Sequence, residues 1–115
     1  MVMLQEGLND IRDQHSSRMT SFILGTDGTV ADETQTGLQS PTAATEIAPT
    51  ITTTLKTNTL AYTLPSTTGT GATYREGGAR NDGSSIDFDR VTWTGIAHTE
   101  ADDINVRKIY YYRNA

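Results

Sequence analysis

The chain has 115 residues, enough for one domain, and with 35% apolar and only 7% aromatic residues it can fill a thin two-layer core but not enclose a deep pocket. A formal charge of -5, with nine basic residues scattered along the chain, argues against binding to a phosphate backbone. There is no cysteine, so disulfides and thiolate metal sites are excluded and burial, strand pairing or subunit association must hold the fold.

The run from Met1 to Leu4 is too short, and too soon acidic at Glu6, to be the apolar region of a signal peptide, and nothing approaches a membrane span. A soluble protein made in the cytoplasm is expected. From Leu4 to His15, the apolar positions Leu4, Leu8 and Ile11 fall at helical spacing, with Gln5, Glu6, Asn9, Asp10, Arg12 and Asp13 on the other side. This predicts one amphipathic helix, lying on the domain or against a neighbouring subunit. Thr20 to Leu24 then reads as a buried strand, and Thr26-Asp27-Gly28-Thr29 ends it with tight-turn chemistry rather than a phosphate loop. The tract from Thr26 to Thr45 has no period, which predicts a functional surface loop or a segment ordered by a partner.

Ile51, Thr53 and Leu55 alternate with Thr52, Thr54 and Lys56, and alternation resumes through Leu60, Tyr62 and Leu64, predicting two antiparallel strands around a short turn. Pro65 closes the second, and Ser66 to Thr73 is a Gly/Thr loop. Gly77-Gly78 inside the strand-like run from Tyr74 to Arg80 predicts a bulge or a close backbone approach. Asn81-Asp82-Gly83-Ser84 follows as a turn. Ile86 and Phe88 share one parity and Val91, Trp93 and Gly95 the other, so one strand is expected to change face near Asp89-Arg90 through a bulge. The last strand, Ile104 to Arg113, places Ile104, Val106, Tyr110 and Tyr112 on one face and Ile109 and Tyr111 on the other, as in a strand covered twice.

Chemistry-bearing patterns are sparse. His15 and His98 are far apart and lack metal-ligand spacing, so a helix-end and a strand-surface histidine are the default. Asp87, Asp89, Glu100, Asp102 and Asp103 offer oxygen ligands for a hard cation or a carboxylate pair for glycoside hydrolysis, but they lack calcium-loop order and one tryptophan cannot line a sugar groove. Solvated charge is the expectation. Gly69-Thr70-Gly71 does not complete a dinucleotide fingerprint, and no serine sits in a Gly-x-Ser-x-Gly elbow. Neither cofactor nor metal is expected. Tyr110-Tyr111-Tyr112 reads equally as a binding platform or as an ordinary terminal strand.

Three N-terminal segments, Leu8-Asn9-Asp10-Ile11-Arg12-Asp13, Ser21-Phe22-Ile23-Leu24-Gly25-Thr26-Asp27-Gly28-Thr29 and Asp32-Glu33-Thr34-Gln35-Thr36-Gly37-Leu38, combine with two later ones. These are Thr73-Tyr74-Arg75-Glu76-Gly77-Gly78 and Phe88-Asp89-Arg90-Val91-Thr92-Trp93. Together they resemble a family of small tailed-virus virion proteins, tail-fibre-like or decoration subunits. The departure is at Gly78 and Ala79, where that family leads one to expect larger apolar residues. The seven arginines against two lysines, with acidic excess, look like a virus of salt-loving archaea.

The expected fold is mainly β, an antiparallel β-sandwich or open barrel with one short N-terminal helix (residues 1–18 helix and lead-in, 19–115 sandwich). The expected role is non-enzymatic: a virion structural subunit, in capsid decoration, turret, tail or baseplate. It would be a homo-oligomer, a trimer in the first instance, contacting other virion proteins but neither nucleic acid nor membrane. Leu4, Leu8, Ile11, Ile109 and Tyr111 are the candidate assembly contacts. The alternative is a carbohydrate- or receptor-binding module using Tyr74, Trp93, Tyr110 and Tyr112. An enzyme would have to rest on Asp87, Asp89 and Asp102.

Overall fold

A computed structural model describes residues 4–81, 83 and 86–113 of the chain. Among them, one helix precedes seven strands, arranged as two antiparallel sheets packed face to face in a β-sandwich. The helix α1 covers Gln5–Arg18. Strand β1 is Ser21–Gly25, β2 Thr50–Thr53, β3 Thr57–Leu64, β4 Thr73–Asn81, β5 Ile86–Asp87, β6 Val91–Ala97 and β7 Ile104–Tyr111. One sheet runs β1-β4 with β5 and β6 both paired to the far side of β4, and the other runs β2-β3-β7.

Strict alternation builds the second sheet. Leu60, Tyr62 and Leu64 of β3, and Ile104 and the half-buried Val106 of β7, face inward, while Thr59, Ala61, Thr63, Asn105, Arg107 and Ile109 face out. The hairpin between β2 and β3 forms as the alternation predicts, with its turn at residues 54–56. Phe22 and Leu24 of β1 meet this inner face; the Phe22 and Tyr62 ring centroids are 4.8 Å apart.

The first sheet is built differently, because all five residues of β1 are buried. Phe22 and Leu24 lie over the core, whereas Ile23 pairs with Gly78 on the opposite face, where Leu38 covers it. A register shift between Tyr74 and Glu76 turns β4 about Arg75, so Tyr74 and Ala79 both reach the core while Glu76 faces the other way. The bulge thus falls at Arg75, and the two glycines serve the close approach: a Cβ on Gly78 would run into the backbone carbonyl of Asp89. That crossing explains why no larger side chain stands at position 78.

The expected single strand with a bulge at Asp89-Arg90 is instead two strands, β5 and β6, interrupted by Phe88–Arg90. Phe88 N still donates to Ala79 O at 2.9 Å, but the Asp89 carboxylate, accepting from Ala79 N at 2.8 Å, takes the place of the next ladder carbonyl and interrupts the strand. Asp82 and Ser84 of the expected turn lie outside the described residues.

The free side of β1 is covered by residues 41–47 through the bridges Phe22 to Ile47 and Gly25 to Pro41. Fully buried Thr45 fastens this cover, accepting from Leu24 N at 2.8 Å, while Tyr62 donates to Thr45 O at 2.6 Å. Among the described residues no strand or bridge pairs along the outer sides of β6 and β7.

Candidate functional site

The loop from Thr26 to Ser40 has no apolar period and is nevertheless ordered from within the chain. Glu76, fully buried in β4, accepts from Asp27 N at 3.1 Å, Gln39 N at 2.8 Å and Ser40 N at 2.8 Å, so both ends of the loop hang on one carboxylate. Arg90 balances the charge, its Nε 2.8 Å from Glu76 Oε1 and its side chain only 5% exposed. The same guanidinium donates to Thr29 O at 2.7 Å, Gln35 Oε1 at 3.1 Å and Asp27 O at 3.2 Å. Backbone donors that a polar loop cannot pair by itself are thereby satisfied. Gly25 is required beneath this knot, since a Cβ there would lie 2.5 Å from both Glu76 Oε2 and Ser40 O. The expectation of an external partner ordering this loop is therefore corrected: Glu76 and Arg90 order it.

A second cluster joins the helix to both sheets. The His15 ring meets Phe88, Tyr110 and Tyr112 edge-on, at centroid distances of 5.4, 4.9 and 5.8 Å. His15 Nδ1 shares a hydrogen bond with the Tyr112 hydroxyl, which also accepts from Asn58 Nδ2 at 3.1 Å. Tyr110 donates to Asp89 Oδ2 at 2.6 Å, and Lys108 Nζ reaches the same oxygen at 2.7 Å. Burial lowers the His15 pKa, which nearby Asp89 opposes and Lys108 reinforces. Burial, then the Asp89 charge, holds the Tyr110 hydroxyl well above the ordinary tyrosine range. Burial disfavours the charged forms of His15, Tyr110 and Tyr112, and the three side chains cross-link α1, β7 and the β5–β6 connection.

These contacts correct several expectations. The helix docks through Leu8, Arg12, His15 and Met19: Leu8 and Met19 are buried, and Arg12 donates to Thr54 O at 3.0 Å and Leu55 O at 2.9 Å. Of the predicted stripe only Leu8 is buried, whereas Leu4 and Ile11 are 77% and 46% exposed. Leu8 is consequently closed to assembly, and Leu4, Ile11, Ile109 and Tyr111 remain on the surface. Tyr74 and Tyr112 are buried and offer no stacking face; Tyr74 donates to Gly69 O. Trp93 and Tyr110 are half-buried, with Trp93 Nε1 donating to Tyr74 O at 2.9 Å. Of the four possible ligand contacts, only Trp93 and Tyr110 keep a partly exposed side chain. His98 is buried rather than on the strand surface, its ring Nε2 3.0 Å from Pro65 O, where it pins the 66–71 loop.

The five acidic residues do not converge. Asp87 and Asp89 border an open cleft of about 340 Å³ beside residues 31–37, but Asp87 is ion-paired to Arg80 at 3.0 Å and Asp89 to Lys108. Asp103 accepts from Ser66 N at 2.8 Å elsewhere, and Glu100 and Asp102 are exposed. Among the described residues no group of three or more His, Asp or Glu side chains is placed to hold a metal.

Sequence reading missed Glu76 and Arg90 as organisers, although a lone glutamate beside two strand glycines is the available signal: a charged residue on a doubly buried strand demands a partner. Comparison with protein-family models, curated proteins and solved structures found no match.

Proposed function

We propose that this chain is a non-enzymatic structural subunit of a tailed-virus virion, a β-sandwich repeated on the particle surface, in the head decoration or the tail. It acts through contacts with its own copies and with other virion proteins. The virion setting rests on the sequence resemblance carried by the segments around Phe22, Glu76 and Arg90. The mode of action rests on one observation: β7 leaves Ile109 43% and Tyr111 58% exposed beside an unpaired strand edge. Apolar side chains next to unpaired backbone groups suit association rather than turnover.

Mass spectrometry and imaging of purified particles of a virus that carries the gene test this reading. The expected result is the chain at high copy number, with density for the sandwich repeating on the surface. Absence of the chain from intact particles overturns it. No helix of the described residues is long and apolar enough to cross a membrane.

A further inference from the structure

Among the described residues, strand β7 pairs with β3 on one side and with no strand on the other. Tyr112 N donates to Lys56 O at 2.8 Å, and the β3 pairing runs in unbroken register from Thr57–Tyr111 to Leu64–Ile104. Antiparallel ladders alternate between bonded and non-bonded pairs, so the even-numbered residues of β7 turn their N–H and C=O toward β3. Asn105, Arg107, Ile109 and Tyr111 turn theirs to the open edge. Their side chains also occupy the solvent face, where Ile109 and Tyr111 are exposed. Beside the edge runs a groove of about 300 Å³, whose apolar wall is Val91, Trp93 and Ile96 of β6. Val91 and Ile96 are 37% and 44% exposed.

We propose that β7 pairs antiparallel with β7 of a second copy about a two-fold axis centred on Ile109, making one continuous six-stranded sheet. This rests on the assembly reading above and supplies its first contact. A two-fold axis normal to the sheet keeps side chains on their own face, so the centre must fall on a residue. Centring on Arg107 or Lys108 sets that cation against itself, and centring on Tyr110 sets Arg107 against Arg113. Centres nearer the start of the strand leave Tyr111 outside the pairing. The Ile109 register opposes no like charges: Ile109 meets its counterpart, Arg107 meets Tyr111 and Lys108 meets Tyr110.

Within the subunit both tyrosines already take a cation, with Arg113 Cζ 5.0 Å from the Tyr111 ring centroid and Lys108 Nζ 5.3 Å from that of Tyr110. Asp89 holds the Lys108 ammonium, so the inner charge does not confront an incoming strand bare. The pairing also brings the β6 rims together across the axis, covering Val91 and Ile96. An interface of this kind is isologous and closes at two copies, in place of the expected three.

The chain has no cysteine, so Ile109→Cys introduces a single thiol. In a bonded antiparallel pair the two Cα atoms lie about 5.5 Å apart, within disulfide reach. Arg107→Cys would stand four residues out of register with its own counterpart, about 13 Å along the strand. Mild oxidation of the full chain at high salt should give covalent dimer from Ile109→Cys and not from Arg107→Cys. Sedimentation should show a concentration-dependent dimer whose dissociation constant rises more than about tenfold in Ile109→Lys, with circular dichroism unchanged. A monomer at every concentration, or equal cross-linking of the two cysteine variants, overturns the pairing, and the cysteine pair decides even where Ile109→Lys does not fold. A chain that cross-links as expected but is missing from virus particles overturns the virion setting alone; one present in particles that does not cross-link through position 109 overturns the edge pairing alone.

Discussion

The two sheets bury their faces by opposite means. The β2-β3-β7 sheet has one dry face and one wet face, and simple alternation suffices for it. The β1-β4 sheet is covered on both faces, on one side by the facing sheet and on the other by a mostly polar loop with Leu38 as its one buried apolar side chain. An apolar cover would hold itself by burial; a polar cover must satisfy its backbone groups, and here Glu76 and Arg90 do that from beneath. The difference teaches where each sheet is vulnerable. The doubly covered sheet depends on one buried ion pair, and the singly covered sheet depends on a neighbour for whatever further burial it gains.

The sharpest way to break this contrast is Glu76→Ala, which takes the nearer of two carboxylates from the 5%-exposed Arg90, leaving Asp27 at 3.6 Å, and unties three loop amides at once. Loss of one partner of a buried charge pair costs about 3–5 kcal/mol. Denaturant melts should show that loss, and hydrogen exchange should show Asp27, Gln39 and Ser40 unprotected while β3 and β7 keep their protection. Uniform loss of protection across both sheets would mean that the loop is not separately held. Next in size is Gly78→Ala. Its methyl meets the Asp89 carbonyl, a backbone atom that cannot swing aside, and overpacking of this kind costs about 1–3 kcal/mol. A neutral Gly78→Ala would place the Asp89 crossing farther from β4 than described.

The same contrast decides what was legible in the sequence. Periodicity reports a strand with one wet face, so β2, β3 and β7 were readable from Ile51, Leu60, Tyr62, Leu64 and Ile104. The continuous run Phe22-Ile23-Leu24 announced burial on both sides but not what lay over Ile23. Glu76 beside Gly77-Gly78 signals that a partner is needed but not which one, because Arg90 is 14 residues away and the amides that Glu76 holds lie at least 36 residues from it. The helix misled for a related reason: its docking stripe Leu8, Arg12 and His15, continued by Met19 just past its end, contains two polar residues, so hydrophobicity pointed one position away, to Ile11. Of the candidate ligand residues, Tyr74 and Tyr112 are buried because tyrosine serves a core equally well once its polar tip finds a partner, as the Tyr74 hydroxyl does in Gly69 O.

A smaller effect probes the joint between the sheets. Burial lowers the folded-state pKa of His15 below the unfolded value near 6.5, so the unfolded chain binds the proton more readily. The stability contributed by neutral His15 is present above pH 6.5 and is lost as the pH falls from there toward the folded pKa, below which the loss levels off. Melting temperature should fall from pH 8 to pH 5, with His15→Gln flattening that part of the profile while carboxylate titration at lower pH is unaffected. A profile that is the same in both proteins would show that the ring is already charged, or solvated, among Phe88, Tyr110 and Tyr112.

The smallest expected effect on the subunit itself lies on the wet face of the second sheet. Tyr111 is 58% exposed and its side chain meets only Arg113 among the ring contacts of the described residues, so Tyr111→Ser removes little that the isolated fold uses. Surface changes of this kind stay within about 0.5 kcal/mol, and the melting temperature of a dilute sample should hardly move. Concentrated samples are different. If Tyr111 lies opposite Arg107 of a second copy, the variant loses both apolar cover and a cation–π contact there, and the rise of melting temperature with protein concentration expected of the parent should shrink. The two regimes separate subunit from assembly: a drop at high dilution would make Tyr111 part of the fold, whereas a drop confined to high concentration makes it part of the contact between copies.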